Sequence, residues 1–263
     1  MQTFQSENQP GDVRLNKYIS DAGVCSRREA DRLITEGRVQ IDGKMATLGS
    51  RVASGMQVYV DGKEIAPEEE MILLAVNKPR GIVCTTDTRW GDRTIYDLMN
   101  YPKRIFSIGR LDKESEGLLL MTNNGDILNK IMRAGNYHEK EYLVSVNKPV
   151  TEEFCRKMSR GVAILDTVTR PCKVEKTGEK SFRIILTQGL NRQIRRMCET
   201  LGYRVMTLQR VRIMNIRLGS LKEGTWRNIE GEERKELDAL LSDSSSLSVK
   251  ERNEKQRERR GGI

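Results

Sequence analysis

The chain has 263 residues and a formal net charge of +9, with 46 lysines and arginines against 37 aspartates and glutamates. This length suits two domains, and the basic balance favours a polyanionic partner, with nucleic acid the first candidate. No apolar run reaches the ~18 residues of a membrane span, and the polar start lacks the apolar segment of a secretion signal, so we expect a cytoplasmic protein without membrane contact.

The chemistry-bearing residues exclude several enzyme classes. The five scattered cysteines contain no Cys-x-x-Cys pair, and a single histidine excludes a multi-histidine metal site. Neither a P-loop nor a dinucleotide-binding glycine motif is present. We therefore expect a protein that uses no metal and no cofactor.

The N-terminal part of the chain predicts a small α plus β module. A polar, flexible leader takes residues 1–12, and the module takes residues 13–65. Apolar residues at helical spacing predict a first helix, and Ser26 with Glu29 has the form of a capping box that opens a second. Two short β-type runs then precede Asp-Gly pairs, a strong hairpin signal.

The remainder predicts a larger domain over residues 71–241, after a charged, proline-containing linker at 66–70 and before a disordered basic tail at 242–263. Strand-like runs are too many and too evenly spread for a helical bundle; they lie at 71–76, 81–85, 117–121, 141–146, 181–186 and 203–218. Helices are predicted at 126–134, after Thr151, at 191–201 and at 230–241. The fold class is therefore α+β, with a mixed, mainly antiparallel sheet flanked by helices.

A cluster of basic side chains marks the N-terminal module. Such a cluster suits the phosphate backbone of nucleic acid, although a solvated helix face is the ordinary alternative. The segments 14–19, 23–34 and 37–43 resemble an S4 RNA-binding domain over nearly its whole length, which implies RNA positioning without catalysis. The residues that we expect to contact RNA here are Arg14, Lys17, Arg27, Arg28, Arg32 and Lys44.

An acidic segment lies in the larger domain. Asp112, Glu114 and Glu116 alternate, so on a strand they could share one face and bind Mg²⁺ as a nuclease would. Spacing alone favours an exposed loop first, a metal site second and a single catalytic carboxylate third.

A resemblance distinguishes between these alternatives. The run Gly109-Arg-Leu-Asp-Lys-Glu-Ser-Glu-Gly117 and the residues after it resemble the signature of the RsuA-type pseudouridine synthases. Lys78-Pro79, His138-Glu-Lys-Glu-Tyr142 and Gln188-Gly-Leu-Asn-Arg-Gln-Ile-Arg-Arg-Met197 resemble further motifs of that family. The similarity covers about residues 13–230 and looks closest to the large-subunit ribosomal enzymes of the F type.

The resemblance implies roles for individual residues. Asp112 would be the nucleophile, Arg195 its counterion, and Tyr142 would stack on the uracil and help remove the C5 proton. Asn123 would brace the loop that carries Asp112. The further residues implied to contact RNA are Lys78, Arg110, Arg192 and Arg196, with Arg110 filling the stack that the flipped base leaves.

We thus expect site-specific isomerisation of uridine to pseudouridine in structured RNA, without a cofactor. Large-subunit ribosomal RNA is the expected substrate and a transfer RNA a second candidate, and a monomer fits an enzyme that docks on a large RNA. The residues do not decide whether the nucleophile attacks C6 of the base or C1′ of the sugar. The alternative function is a non-catalytic S4-type RNA-binding protein in ribosome assembly.

Overall fold

The computed structural model describes residues 12–244, apart from residues 69, 88 and 90. The predicted basic tail from residue 245 onward and the leader up to residue 11 lie outside the described residues. The described residues divide into two compact units: the first runs up to residue 71 and includes 102–104, and the second takes residues 72–101 and those from 105 onward. In the described part of the chain, no helix is both long and apolar enough to span a membrane.

The first unit is a small α/β module around one apolar core. Its helices form as the sequence predicts: the Ser26 hydroxyl accepts a hydrogen bond from the backbone N–H of Glu29, 3.2 Å away, and caps the second helix. Leu15, Ile19 and Leu33 from these helices pack on the short strands. The elements are β1 (Val13–Arg14), α1 (Leu15–Asp21), α2 (Arg27–Thr35), β2 (Val39–Ile41), β3 (Lys44–Met45), β4 (Arg51–Val52), β5 (Val58–Val60) and β6 (Lys63–Ile65).

The second unit contains the larger sheet and its flanking helices. The first half has β7 (Leu73–Lys78), α3 (Ile95–Met99), β8 (Phe106–Ile108), β9 (Glu116–Thr122), α4 (Gly125–Met132), a 3-10 turn (Ala134–Asn136), β10 (Lys140–Val146) and α5 (Glu152–Arg160). The second half has β11 (Ala163–Ile164), β12 (Thr167–Val168), β13 (Lys173–Gly178), β14 (Ser181–Leu186), α6 (Gln193–Thr200), β15 (Val205–Ile213), β16 (Ile216–Arg217), β17 (Trp226–Asn228) and α7 (Gly231–Leu241).

The sheet is mixed and mainly antiparallel, which confirms the predicted fold class. Its order is β13-β14-β10-β15-β9-β7-β17, with β8 on β9 and β16 on β15. The pair β9 and β15 is parallel, and the other pairs of this sheet are antiparallel. Leu118 and Leu120 of β9 pack into one core while Leu119 and Met121 pack into another. Strand β9 is therefore buried on both faces, which explains its unbroken apolar sequence.

The strand assignments differ from the sequence prediction in several places. The run predicted at 203–218 forms two strands, β15 and β16, and five short or edge strands of the second unit have no predicted counterpart: β8, β11, β12, β13 and β17. Residues 81–85 form no strand; Val83 makes a single bridge to Thr94, and Ile82 is buried without strand pairing. Conversely, β13 lies in a segment for which the sequence predicts no strand, because it is an edge strand whose residues are mostly exposed and lack apolar alternation.

Candidate active site

The signature segment forms the connection between β8 and β9, at residues 109–115. It lines a cavity of about 320 Å³ together with residues from β10, α6 and β15. Asp112, Tyr142 and Arg192 all line this cavity, although they lie far apart in the sequence. Its volume is in the range of sites for small molecules, so it can accept a group of about the size of a nucleoside.

A glycine allows the strands under the cavity to approach closely. Gly117 pairs with Arg210 in the parallel β9–β15 ladder and has a φ of +98°. A Cβ at Gly117 would overlap the backbone carbonyl oxygen of Arg210. This position therefore requires glycine both for its backbone conformation and for the space.

Asp112 is half-buried, with 35% of its side chain exposed. Among the described residues, its ion-pair partner is Arg192, whose Nη1 lies 3.7 Å from the Asp112 Oδ2. Arg192 directly precedes α6 in the left-handed backbone region, with a φ of +48°. Its guanidinium lies near the nucleophile candidate and also 3.6 Å from the carboxylate of Glu114.

Arg195, predicted as the counterion of Asp112, is held by the backbone and hydroxyl of the loop that carries Asp112. It is 6% exposed, and its Nη2 donates to the Glu114 carbonyl at 3.1 Å and to the Ser115 hydroxyl at 3.2 Å. Burial lowers the pKa of Arg195, as does the charge of Arg192, while Glu114 and Asp112 act in the opposite direction. Arg195 therefore fixes the loop that carries Asp112, and the direct ion pair with Asp112 belongs to Arg192.

Lys78 lies beneath the loop. It is fully buried, and its ammonium donates to the carbonyl oxygens of Pro79 and Ser115, both at 2.7 Å. Burial lowers the pKa of this lysine. The structure therefore places the ammonium of Lys78, a residue predicted to contact RNA, on backbone carbonyls beneath the loop and away from solvent.

The other predicted residues of this unit are accessible. Tyr142 lines the cavity and packs against two apolar cores. Arg110 lines the cavity and is exposed. Arg196 is partly exposed, and its guanidinium bonds to the backbone oxygen of Asn191 at 3.1 Å. The Asn123 side chain accepts from the Ile72 backbone N–H at 2.9 Å, so it joins the end of β9 to the start of β7.

The acidic triplet does not form a metal site. In the described ranges, no group of three or more histidine, cysteine, aspartate and glutamate side chains could hold a metal ion. The Asp112 and Glu114 carboxylates instead share Arg192. The nuclease alternative therefore has no support from the geometry.

In the first unit, the basic residues divide into two groups. Lys17 pairs with Asp21 at 2.6 Å, and Arg32 is held between Glu29 and Glu36. These two charges are partly neutralised within the domain. Four other predicted RNA-contacting residues of this unit are exposed to solvent and can bind phosphate: Arg14, Arg27, Arg28 and Lys44.

Two buried cations of the cavity were missed by the sequence prediction. Lys140 and Arg210 both line it, at 6% and 3% exposure. Lys140 could have been found, since it lies two residues before Tyr142 on a strand and so shares its face. Arg210 could not, because its position depends on pairing between β10 and β15.

Comparison with known proteins agrees with this geometry. Residues 72–200 match the family model described as RNA pseudouridylate synthase, and residues 13–58 match the S4 domain. A solved structure titled "Crystal structure of pseudouridylate synthase" superposes with a TM-score of 0.64 at 29% identity, covering 87% of this chain and 99% of that one.

Two curated relatives are more informative about the family. The "Dual-specificity RNA pseudouridine synthase RluF" of Escherichia coli is 56% identical over 237 residues, covering 89% of this chain and 81% of that protein. The "Ribosomal large subunit pseudouridine synthase B" of Bacillus subtilis is 37% identical, covering 86% of this chain and 96% of that protein. A purely RNA-binding role is therefore not what this fold supports, and the chain belongs to the family of S4-domain RNA pseudouridine synthases.

Proposed function

We propose that this pseudouridine synthase modifies a uridine of large-subunit ribosomal RNA, with Asp112 as its nucleophile and a transfer RNA as a second candidate substrate. The main support is that Asp112, Tyr142 and a basic side chain, Arg192, line one nucleoside-sized cavity. The names of the Bacillus subtilis and Escherichia coli relatives support the ribosomal and the dual-specificity parts of the proposal.

The isomerisation breaks the N1–C1′ bond and forms a C5–C1′ bond, so it needs a group that holds an intermediate while the base turns. A carboxylate can do this covalently. Arg192 attracts the Asp112 carboxylate from 3.7 Å, while Arg195 and Lys78 hold the backbone of the loop from below. The loop is thus positioned by side chains that are not themselves consumed in the reaction.

The target base must leave its stack to reach Asp112, at a cost of about a few kcal/mol. We assign the stacking surface to Tyr142, whose ring lines the cavity, and the replacement of the base in the RNA stack to Arg110, which is exposed. We assign phosphate contacts to Arg192 and Arg196.

The domain limits follow from the same proposal. Residues 13–65 would dock the RNA, and residues 71–241 would carry out the reaction. The exposed cations of the first unit suit contact with phosphates, because each neutralised phosphate releases condensed counterions. The residues in question are Arg14, Arg27, Arg28 and Lys44.

The test of the nucleophile is Asp112→Asn, which removes the charge at constant size. We expect pseudouridine formation to fall at least about 1,000-fold, while RNA affinity in a filter-binding assay stays within about threefold. Asp166→Asn is the matched control, since Asp166 is exposed in the β11–β12 turn and should keep full activity. An active Asp112→Asn enzyme would refute the assignment.

The test of the substrate is a map of carbodiimide-reactive uridines in ribosomal and transfer RNA from cells with and without the gene. We expect a large-subunit site to lose its modification when the gene is deleted. Loss confined to small-subunit RNA would contradict the proposed substrate and leave the enzyme class intact.

A further inference from the structure

Two buried cations of the cavity have no part in the roles described above. Lys140 and Arg210 are 6% and 3% exposed, and both line the same cavity as Asp112 and Tyr142. A charge this deeply buried destabilises the fold unless it is paired. Buried, unpaired charges in a cavity are often found at functional sites.

The sheet brings these two side chains to one face. Tyr142 of β10 is the cross-strand partner of Arg210 of β15. Lys140 precedes Tyr142 by two residues, so its side chain points to the same side of the sheet. The three side chains therefore line the same cavity from neighbouring positions of two paired strands.

Both cations have unused hydrogen-bond donors. The acceptor recorded for the Lys140 ammonium among the described residues is the His138 carbonyl, at 3.3 Å. The Arg210 Nε donates to the Leu118 carbonyl at 2.7 Å, but its Nη2 is buried with no partner in the described part of the chain. An ammonium has three donors, so within the described part of the chain both Lys140 and the Arg210 Nη2 can still donate to a ligand.

The two charges also act on each other. Burial, and then the charge of Arg210, lower the pKa of Lys140 to about 8. A ligand with negative charge or electron-rich oxygens would satisfy the free donors and remove this repulsion. The cavity therefore has the properties of a binding site for an anion.

Building on the proposed function, we infer that Lys140 and Arg210 bind the carbonyl oxygens of the target uracil and stabilise the negative charge that its ring carries during the reaction. The walls near the two cations include Leu111, Leu186 and Leu208, which suit a planar base better than a hydrated phosphate. The more exposed Arg192 and Arg196 are better placed to bind phosphates.

Both chemical routes place negative charge on the ring. If the Asp112 carboxylate attacks C1′, the electron pair of the N1–C1′ bond stays with the base, which becomes a monoanion delocalised over O2 and O4. If it attacks C6, the electron pair of the C5–C6 double bond moves towards O4. Donors fixed in a dry cavity stabilise such charge more strongly than water does.

The remaining steps restore neutrality. On the C1′ route, C5 of the turned base forms the bond to C1′ with the electron pair of the ring, and the carboxylate leaves C1′ with its own pair. On the C6 route, the pair of the N1–C1′ bond passes to N1 as C5 bonds to C1′, and the carboxylate leaves C6 with its own pair when the C5–C6 double bond re-forms. C5 then loses its proton and N1 gains one, so the product is an isomer of the substrate. Lys140 and Arg210 would act on the charged intermediate and be unchanged at the end.

The test compares Lys140→Met with wild type on two RNA substrates, one with uridine at the target position and one with 5-fluorouridine. The measurement is the single-turnover disappearance of the intact target nucleoside as a function of RNA concentration. Fluorine withdraws electrons and stabilises the same anion without help from the lysine. Lys148→Met is the matched control, because Lys148 is an exposed residue beyond the far end of β10.

We expect Lys140→Met to slow uridine turnover about 100-fold, as for loss of one donor to an oxyanion, and to slow 5-fluorouridine turnover much less. The half-saturating RNA concentration should stay within about threefold, and the control should match wild type on both substrates. The ratio of the two rates does not depend on the fraction of folded enzyme.

An equal loss on both substrates would overturn the inference in favour of a structural role. A change in half-saturating concentration with unchanged rate would overturn it in favour of a phosphate contact. In either case wild type would still form pseudouridine, whereas failure of the proposed function would appear as a wild-type enzyme inactive on ribosomal RNA.

Discussion

Lys140 gives a prediction about stability that is independent of catalysis. Its pKa is lowered from the ordinary 10.5 to about 8, first by burial and then by Arg210. At about 1.4 kcal/mol for each tenfold change, this difference corresponds to roughly 3 kcal/mol. At pH 7 the charged Lys140 should therefore lower the free energy of unfolding by roughly 3 kcal/mol. The substitution Lys140→Met should remove this destabilisation.

The sign follows from proton binding. Between pH 8 and 10.5 the unfolded chain holds the proton on this lysine while the folded protein releases it, so stability rises with pH through this window. The stability advantage of Lys140→Met over wild type should thus be largest at pH 7 and shrink by roughly 3 kcal/mol by pH 10.5. The charge that acts on Lys140 is that of Arg210 from β15. Burial lowers the pKa of His138 in the same segment, so its imidazole is neutral in this window, and the Asp112 carboxylate lines the same cavity.

The assay is urea denaturation of both proteins at several pH values, with the difference in unfolding free energy plotted against pH. Other titratable groups are present in both proteins, so their contributions cancel in the difference. A difference that does not change between pH 7 and 10.5 would refute the reasoning. A more stable but slower Lys140→Met enzyme would show that the charge is kept for catalysis.

Two substitutions and one labelling experiment test the geometry of the loop and the core. Gly117→Ala should destabilise the fold by at least about 2 kcal/mol, because φ is +98° and a Cβ would overlap the Arg210 backbone; an unchanged urea midpoint would contradict this. Ser115→Ala removes a hydroxyl that accepts from Arg195 and should cost about 1–3 kcal/mol of stability and lower turnover, with RNA affinity kept. Burial raises the pKa of Cys198 to about 12, so a thiol reagent at pH 8 should label it only after denaturation, and rapid labelling of the native protein would argue against its burial.

Elements with local signals were predicted well. The helix capped by Ser26 and the two short hairpins of the first unit follow from neighbouring residues, and the structure has them. The doubly buried strand β9 follows from its apolar run. The edge strand β13 was missed, since an exposed edge needs no apolar alternation.

The roles of charged residues were predicted less well. Arginines of one helix look equivalent in sequence, yet Arg192 pairs with Asp112 while Arg195 holds the Ser115 loop from inside. Lys78 resembles any surface lysine in the sequence but is fully buried. Burial and hydrogen-bond partners depend on distant segments, so a local pattern carries no information about them.

The sequence by itself determined the fold class, the family and the loop that carries Asp112, because these depend on apolar periodicity and on contiguous motifs. Only the tertiary structure decided which cations surround that loop. Arg192 and Arg210 are about 80 and 100 residues away from Asp112 along the chain, and the parallel pairing of β9 with β15 together with the position of α6 sets their places. Electrostatic interactions act over a few ångströms in space. The cations that surround Asp112 could therefore be identified only once the arrangement of the sheet was known.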